Sequence, residues 1–437
     1  MVSDTMSISN NEQTRPLSKY RVVLLENISQ TAVDHLRRAG FRDIIHHAKA
    51  LPESQLVELL KTAHVVGIRS KTQLTSELIS AAPNLHVIGC FCIGTNQVDL
   101  EKATSLGIPV FNSPFSNSRS VAELVISHVI ALARQLGDRN KEMHQGDWQK
   151  TANKCTEIRG KTLGIVGYGH IGTQLSVLAE AMGLRVLFHD ILQIMPLGHA
   201  QQVADLETLL RRSDYVTLHV PGTPDTKMMI GEKEIAMMKP GAFLINCARG
   251  NVVDVQALAK ALHAGHLGGA AVDVFPQEPF KNGPNQFDSV LRNCPNTILT
   301  PHIGGSTEEA QHNIAVEVTD RIVKHLAQGS TMGAVNLPEA MLRVNGKHVV
   351  RILHVHWNRP GVLRHVSDVV SRAGDHIHVQ QLNVEKQLCD SKGDVAVLMM
   401  DVSGIPKDQI VDWSSQVQKE LEGFAENIRT RIITQLN

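Results

Sequence analysis

The sequence has no excess of charge of either sign: 43 lysines and arginines stand against 43 aspartates and glutamates. That leaves no electrostatic footprint for nucleic acid or an anionic membrane surface, although the two or three cations that a small anionic ligand needs are affordable. It also has no C-x-x-C pair. Cys90, Cys92, Cys155, Cys247, Cys294 and Cys389 are scattered through mostly apolar stretches. Zinc-ribbon and thioredoxin chemistry are therefore not indicated, and reduced, buried thiols are expected. Long apolar runs are missing too. The richest stretch, 121–133, contains Glu123, Ser127 and His128, and reads as a buried helix rather than a membrane span. Residues 1–19 are polar, carry Asp4 and Glu12 and contain no apolar h-region. They read as a flexible tail without secretory or transit character. No short-period repeat or low-complexity tract occurs. The expectation is a cytoplasmic protein with a small-molecule partner, no nucleic acid, no membrane and no resident metal.

What is present is a chain of 437 residues, 42% of them apolar, enough for several domains and a large core. From Arg21 onward, β-branched runs (21–26, 65–68, 85–90, 108–111) alternate with helical patterns (31–39, 76–82, 100–105). That alternation predicts a doubly wound parallel sheet. A long helix follows at 120–136. A second β-α series then has strands at 162–166, 185–188, 215–219, 242–246, 270–274 and 297–300. Six strands suit a dinucleotide-binding domain. A helix at 308–327 returns to the first domain, which is thus discontinuous: 20–117 with 305–337, around 118–304. Residues 338–347 form a linker. Residues 348–437 show a βαββα order (strands 349–356, 377–384 and 395–402, helices 362–373 and 407–421), which fits a ferredoxin-like α+β module.

Leu163-Gly-Ile-Val-Gly-Tyr-Gly-His-Ile-Gly172 contains G-x-G-x-x-G at Gly167, Gly169 and Gly172, between an apolar strand and a helical stretch at 173–182. Gly167 permits the tight turn, Gly169 lets backbone amides approach a pyrophosphate, and Gly172 lets the helix pack on the sheet. The free N–H groups and dipole of that helix favour phosphate. Such a turn alone is weak evidence, since glycine turns are common. Asp190 strengthens it: it ends the next strand, 18 residues after Gly172, where a carboxylate accepts bonds from ribose hydroxyls and repels a 2′-phosphate. NAD is therefore favoured over NADP.

Hydride transfer from a 2-hydroxy acid needs a base for the hydroxyl proton, a group that holds the base, and a cation for the carboxylate. The second series offers one of each just past predicted strand ends, where ligands of open α/β sheets bind. Arg249 lies in Asn246-Cys-Ala-Arg-Gly250, Glu278 in Asp273-Val-Phe-Pro-Gln-Glu-Pro279, and His302 in Thr300-Pro-His-Ile-Gly-Gly305. Singly, each has a blander reading as a surface charge, a loop residue or one of 22 histidines. The combination downstream of a nucleotide turn carries the weight.

The segments 167–172, 244–253, 271–279 and 299–305 resemble the signature blocks of the D-2-hydroxyacid dehydrogenases, and the resemblance covers about residues 20–337. It implies a catalytic set of Arg249, Glu278 and His302. It also implies NAD contacts from Gly167, Gly169, His170, Ile171, Gly172, Asp190, His219, Cys247, Ala248, Arg249, Asp273, His302, Gly304 and Gly305. Gly67-Ile-Arg-Ser-Lys-Thr72 and the block 112–123 resemble the phosphoglycerate dehydrogenase branch. That branch implies NAD-dependent oxidation of D-3-phosphoglycerate to 3-phosphohydroxypyruvate, the first step of phosphorylated serine biosynthesis, with 2-oxoglutarate reduction as a further activity. Arg69 would bind the anionic groups, Ser70 and Asn117 would line the pocket, and Lys150 would join them. Trp148 and Lys150 match a segment that in bacterial relatives inserts toward a neighbouring subunit, and a homotetramer is implied.

Residues 348–437 resemble an ACT domain, the amino-acid-sensing module, through His354-Val-His-Trp-Asn-Arg-Pro-Gly-Val-Leu363. In serine-inhibited relatives, residues matching His356 and Asn358 hold serine. His376 stands where a second asparagine is expected, and 381–394 is longer and more polar than in those relatives. L-serine or another amino acid is the implied effector. His354, His356, His376 and His378 fall at alternate positions of two predicted strands, which reads as polar strand faces. Two other functions compete. One is another dehydrogenase of the same family, acting on an acid such as 2-hydroxyglutarate, which would not need Arg69 and Lys150 together. The other is an NAD(H)-sensing scaffold of the corepressor type, against which the C-terminal module argues.

Overall fold

In a computed structural model of the chain, residues 16–279, 283–343, 349–376 and 382–434 are described. They divide into two compact units, one made of residues up to 114 together with those from 312 onward, the other of Phe115–Gln311. The division falls a few residues from the domain limits expected at 117 and 305, and the C-terminal module shares a unit with the first sheet.

The first unit contains a parallel sheet of β1 (Arg21–Leu24), β2 (Asp43–His46), β3 (Val65–Ile68), β4 (Val87–Cys90) and β5 (Val110–Phe111), in the order β2-β1-β3-β4-β5. Alternation along β1 buries both faces: Val22 and Leu24 enter one core, Val23 and Leu25 the other. Such double burial is why these strands read as continuous apolar runs. The helix Glu308–Gln328 lays Ile314, Val318, Ile322 and Leu326 on the Val22 side. β2 and the helix Glu53–Leu60 are additional to that reading. β2 is a half-buried edge of four residues, too short to leave a pattern.

The C-terminal module is an antiparallel sheet of β13 (Val350–Trp357), β14 (Asn383–Lys392), β15 (Val395–Ser403) and β16 (Asn427–Ile433), in the order β14-β15-β13-β16. Its order is βαββαβ, one strand more than expected. The strand expected at 377–384 lies partly outside the described residues, and β14 runs later. His376 ends the helix Val362–His376 rather than sitting on a strand, and His378 lies outside the described residues. Nor are His354 and His356 on a polar face: both are buried, with rings stacked at 5.1 Å. Val350, Ile352, Leu398 and Met400 pack under the helices of the module, while Leu353, Val355, Val397 and Met399 join the core of the first sheet. With both faces covered at β13, an imidazole on this strand is buried whichever way it points. Burial drives the pKa of His354 down to about 3, so it is neutral. Arg351, fully buried, forks onto Asp401 (2.6 and 2.8 Å) and donates to Gln328 O, while Arg431 donates to Leu326 O. Two guanidinium groups thus satisfy carbonyls at the end of the 308–328 helix. Removing one partner of such a buried pair costs about 3–5 kcal/mol.

The second unit is a parallel sheet of β6 (Thr162–Val166), β7 (Arg185–His189), β8 (Gln201–Gln202), β9 (Tyr215–Leu218), β10 (Phe243–Asn246), β11 (Gly269–Val272) and β12 (Thr297–Leu299), in the order β12-β11-β10-β9-β6-β7-β8. All six expected strands are present. β8 is an added two-residue edge, too short and polar to show. The helix expected at 120–136 is Ser118–Ala133; Gln135 then turns left-handed (φ 52°) and a second helix, Leu136–Gln145, follows that was not expected. The first is buried against the sheet and the second is exposed. Among the described residues no single helix is long and apolar enough to cross a membrane. The fold is α/β, two parallel-sheet domains plus a small antiparallel α+β module.

Candidate active site

The crossover from β6 to the helix His170–Ala181 builds the nucleotide turn. Gly167 is left-handed (φ 90°), and a Cβ there would lie 2.5 Å from His219 O. A Cβ on Gly172 would meet Gly167 O at 2.4 Å. Both positions therefore require glycine, the first for φ and close approach, the second for helix packing. Around a Cβ on Gly169 nothing lies within 4 Å. Gly169 caps the helix without a side-chain bond, so the first-turn amides face open space with a positive dipole. Asp190 follows β7. Its Oδ2 accepts from Tyr168 N (2.8 Å) and its Oδ1 from Leu192 N (3.0 Å). It ties the glycine turn to the next strand end and keeps lone pairs for ribose hydroxyls. Phe115 stacks on the His170 ring at 3.6 Å. The His219 imidazole is neutral, burial holding its pKa down to about 3. Its Nε2 lies 3.1 Å from Thr217 Oγ1 and its Nδ1 has no partner. An uncapped helix start, open space over Gly169 and a carboxylate at the next strand end fit a dinucleotide such as NAD.

Three strand ends carry the residues expected to do the chemistry. After β10, Asn246 folds the chain back: its Oδ1 accepts from Ala248 N and its Nδ2 donates to Arg249 O, each at 3.0 Å. That turn contains Cys247 and Ala248 and presents the half-buried Arg249, whose Nη1 donates to Ala248 O. A Cβ on Gly250 would sit 2.0 Å from Phe275 C, so the Arg249 turn presses directly on the loop that carries Glu278. After β11, Glu278 accepts from Phe275 N at 3.1 Å through Oε1 and meets His302 Nδ1 at 2.8 Å through Oε2. A carboxylate only accepts, so Nδ1 carries the proton and Nε2 is the basic atom. The bond to Glu278, then its charge, raise the pKa of His302, against burial and Arg249. For Glu278 burial works upward. The bond and charge of His302, the Phe275 amide and Arg249 outweigh it and hold the carboxyl below its ordinary value.

His302 has a left-handed backbone (φ 53°), and Asp273 holds the loop in that shape. Its Oδ1 accepts from Thr300 Oγ1 (2.6 Å) and Ile303 N (2.9 Å), its Oδ2 from Gly304 N (2.8 Å). Sequence reading assigns Asp273 to the cofactor and misses this anchoring. The four-residue approach of Asp273 to Glu278 is its only local signal. Gly304 and Gly305 close the loop, and Asn117 packs against Gly305, its Oδ1 buried without a partner.

The remaining predicted residues are dispersed. Arg69 and Ser70 follow β3 in the first unit. Lys150 lines an exposed groove with Arg139, Met143 and Trp148, which is 78% exposed. His356 is buried with Nδ1 2.9 Å from Trp357 O, Asn358 is exposed, and His376 ends its helix. Among the described residues no three His, Cys, Asp or Glu side chains are grouped to hold a metal. None of the six cysteines is in a disulfide.

In Glu278→Gln the imidazole loses its carboxylate, so its pKa falls. Oxidation uses neutral His302 and declines below that pKa, so its acid limb should move to lower pH. Reduction uses the imidazolium and declines above it, so its alkaline limb should move the same way. Profiles of kcat/KM against pH in both directions check this. Limbs that stay in place would mean that Glu278 does not tune His302.

The class follows from the turn and the strand-end residues together. Residues 126–304 match the family "D-isomer specific 2-hydroxyacid dehydrogenase, NAD binding domain", and the chain belongs to the D-isomer-specific 2-hydroxyacid dehydrogenases, an NAD-dependent group. Its similarity is specific within that family. It is 52% identical over 409 residues to D-3-phosphoglycerate dehydrogenase 1 of Saccharomyces cerevisiae, covering 91% of this chain and 85% of that one. It is 47% identical over 415 residues to D-3-phosphoglycerate dehydrogenase of Escherichia coli, covering 95% and 98%. Among solved structures, the D-isomer specific 2-hydroxyacid dehydrogenase of Lactobacillus delbrueckii ssp. bulgaricus in its NAD-complexed form aligns with a TM-score of 0.64 at 27% identity, covering 72% of this chain and all of that one.

Proposed function

We propose that the chain oxidises D-3-phosphoglycerate to 3-phosphohydroxypyruvate with NAD, the first committed step toward serine by the phosphorylated route. The observation that carries the chemistry is the 2.8 Å contact of His302 Nδ1 with Glu278, in a chain about half identical to phosphoglycerate dehydrogenases. Arg249 holds the substrate carboxylate and carbinol oxygen through its planar fork. His302 Nε2 takes the hydroxyl proton, and Glu278 stabilises the imidazolium that forms. The amides at the start of the 170–181 helix and Asp190 would hold NAD, which would supply the hydride acceptor. Arg69 and Ser70, with Asn117 and Lys150, serve the phosphate end. The enzyme works in the cytoplasm as a homotetramer, and an amino-acid effector binds at His356, Asn358 and His376.

The test is steady-state NADH formation with 3-phosphoglycerate and 2-hydroxyglutarate. NADH consumption with phosphohydroxypyruvate and 2-oxoglutarate is followed in parallel, with and without L-serine. The phosphorylated pair is expected to be preferred, and Arg69→Ala to raise its KM about ten- to hundred-fold, as loss of a charge-assisted contact does. Equal or better turnover of the non-phosphorylated acids would sink the substrate assignment. NADH binding without any turnover would favour a sensing scaffold.

A further inference from the structure

We propose that Glu26 and Gln97 are positioning residues for the anion-binding loop Arg69–Thr72, clamping the Arg69 backbone on both flanks so that its side chain meets a phosphate in one geometry. The inference rests on the reading that Arg69 binds the phosphorylated end of the substrate.

Glu26 follows β1 and is only 7% exposed. Three loop amides donate to its carboxylate: Arg69 N (3.2 Å) and Thr72 N (2.8 Å) to Oε1, Lys71 N (2.9 Å) to Oε2. Gln97, 3% exposed, works on the next peptide, on the other flank of the same residue. Its Nε2 donates to Arg69 O at 2.6 Å and lies 3.1 Å from Gly94 O and 3.3 Å from Cys92 Sγ. The Arg69 N–H and C=O are therefore each fixed by a buried side chain from a different segment. Glu26 and Asn27 are both left-handed (φ 62° and 52°), a conformation that non-glycine residues adopt rarely and keep at over-determined sites. Delivery of the carboxylate under the loop accompanies that strain.

The chemistry explains why the residue is an acid. An ionised carboxylate only accepts, with about four lone-pair positions, and so collects three converging amides that an amide side chain would partly repel. Buried anions bonded by several N–H groups are strong, directional anchors. A plain loop anchor would share these bonds. The positioning role differs in its kinetic consequence, because Arg69 is displaced while the dinucleotide site in the other unit keeps its own supports.

Four variants test this: Glu26→Gln, Glu26→Asp, Gln97→Leu and Arg69→Ala. Each is read by KM for 3-phosphoglycerate, kcat, KM for NAD and inhibition by inorganic phosphate. Glu26→Gln is expected to raise KM for 3-phosphoglycerate about ten-fold and to weaken phosphate inhibition in parallel, with kcat and KM for NAD changed less than about three-fold. Glu26→Asp should recover part of that loss, and Gln97→Leu should reproduce it from the other side. If Glu26→Gln does not fold, Gln97→Leu carries the test. If Arg69→Ala raises KM but the Glu26 and Gln97 variants do not, the clamp is overturned and the role of Arg69 stands. If Arg69→Ala leaves KM unchanged, both fall. Equal losses in kcat, NAD binding and substrate binding would also overturn the proposal, since they report a general role in folding.

Discussion

His302→Ala is expected to lower kcat/KM by about 10²–10⁴-fold, the usual worth of a positioned general base, while NADH titrated against the protein still binds. The physical case is local. Nδ1 is committed to Glu278, which leaves Nε2 as the basic atom at the open side of three converging strand ends. Glu278, the carboxylate bonded to it, is itself held by both the Phe275 amide and the imidazole. Stability should barely move. The His302 side chain is 52% exposed, so truncation creates no cavity, and such surface changes stay within about 0.5 kcal/mol. Stopped-flow single turnovers with NAD and 3-phosphoglycerate, set beside a urea unfolding curve, separate the two effects. Turnover within a few-fold of the parent would remove His302 from the mechanism.

Asp273→Ala should do what His302→Ala does not and damage both stability and activity. Asp273 is 1% exposed and accepts three bonds from the loop 300–304. Deleting the carboxylate leaves the amides of Ile303 and Gly304 and the Thr300 hydroxyl without their acceptor. Bonds to a charged group contribute about 1.5–3 kcal/mol each, and an orphaned buried donor costs about 1–3 kcal/mol. After partial relaxation a net loss of about 3–5 kcal/mol is expected. The loop does not detach, because His302 N still donates to the Asp273 backbone carbonyl (2.8 Å). It loosens around a left-handed residue, so kcat should fall by about 10-fold or more as the imidazole loses its aim, with KM for NAD altered less. Asp273→Asn keeps one acceptor but turns an NH₂ on one of the donors, and should lie between. An unchanged urea midpoint in Asp273→Ala would show that the loop is held by other means.

These expectations draw on features of different legibility. The glycine turn and Asp190 could be read in advance because their requirements are local. A left-handed turn, a close helix start and a carboxylate at a strand end are encoded within about thirty residues of a βαβ unit. Arg249, Glu278 and His302 were legible as types placed after strands. So were the two parallel sheets, whose doubly buried strands leave continuous apolar runs. Strands β2, β8 and β16 were not, the first two because a short or polar edge leaves no periodic trace. The helix Leu136–Gln145 was not legible either, because its residues are almost all polar and none is buried, so it carries no apolar stripe.

By itself, then, the sequence determined the fold class, the glycine turn and which residue types stand just past the strand ends, since each depends on the chain's own period and turn chemistry. Only the tertiary structure decided partners. It put Glu278 on His302 across 24 residues, showed Asp273 anchoring the His302 loop, and buried His354 and His356 in a strand covered on both faces. It also brought Glu26 and Gln97, 43 and 28 residues away, onto the two peptides that flank Arg69. Burial and hydrogen bonding across such separations depend on which surfaces meet when the sheets close, and no periodicity along the chain records that.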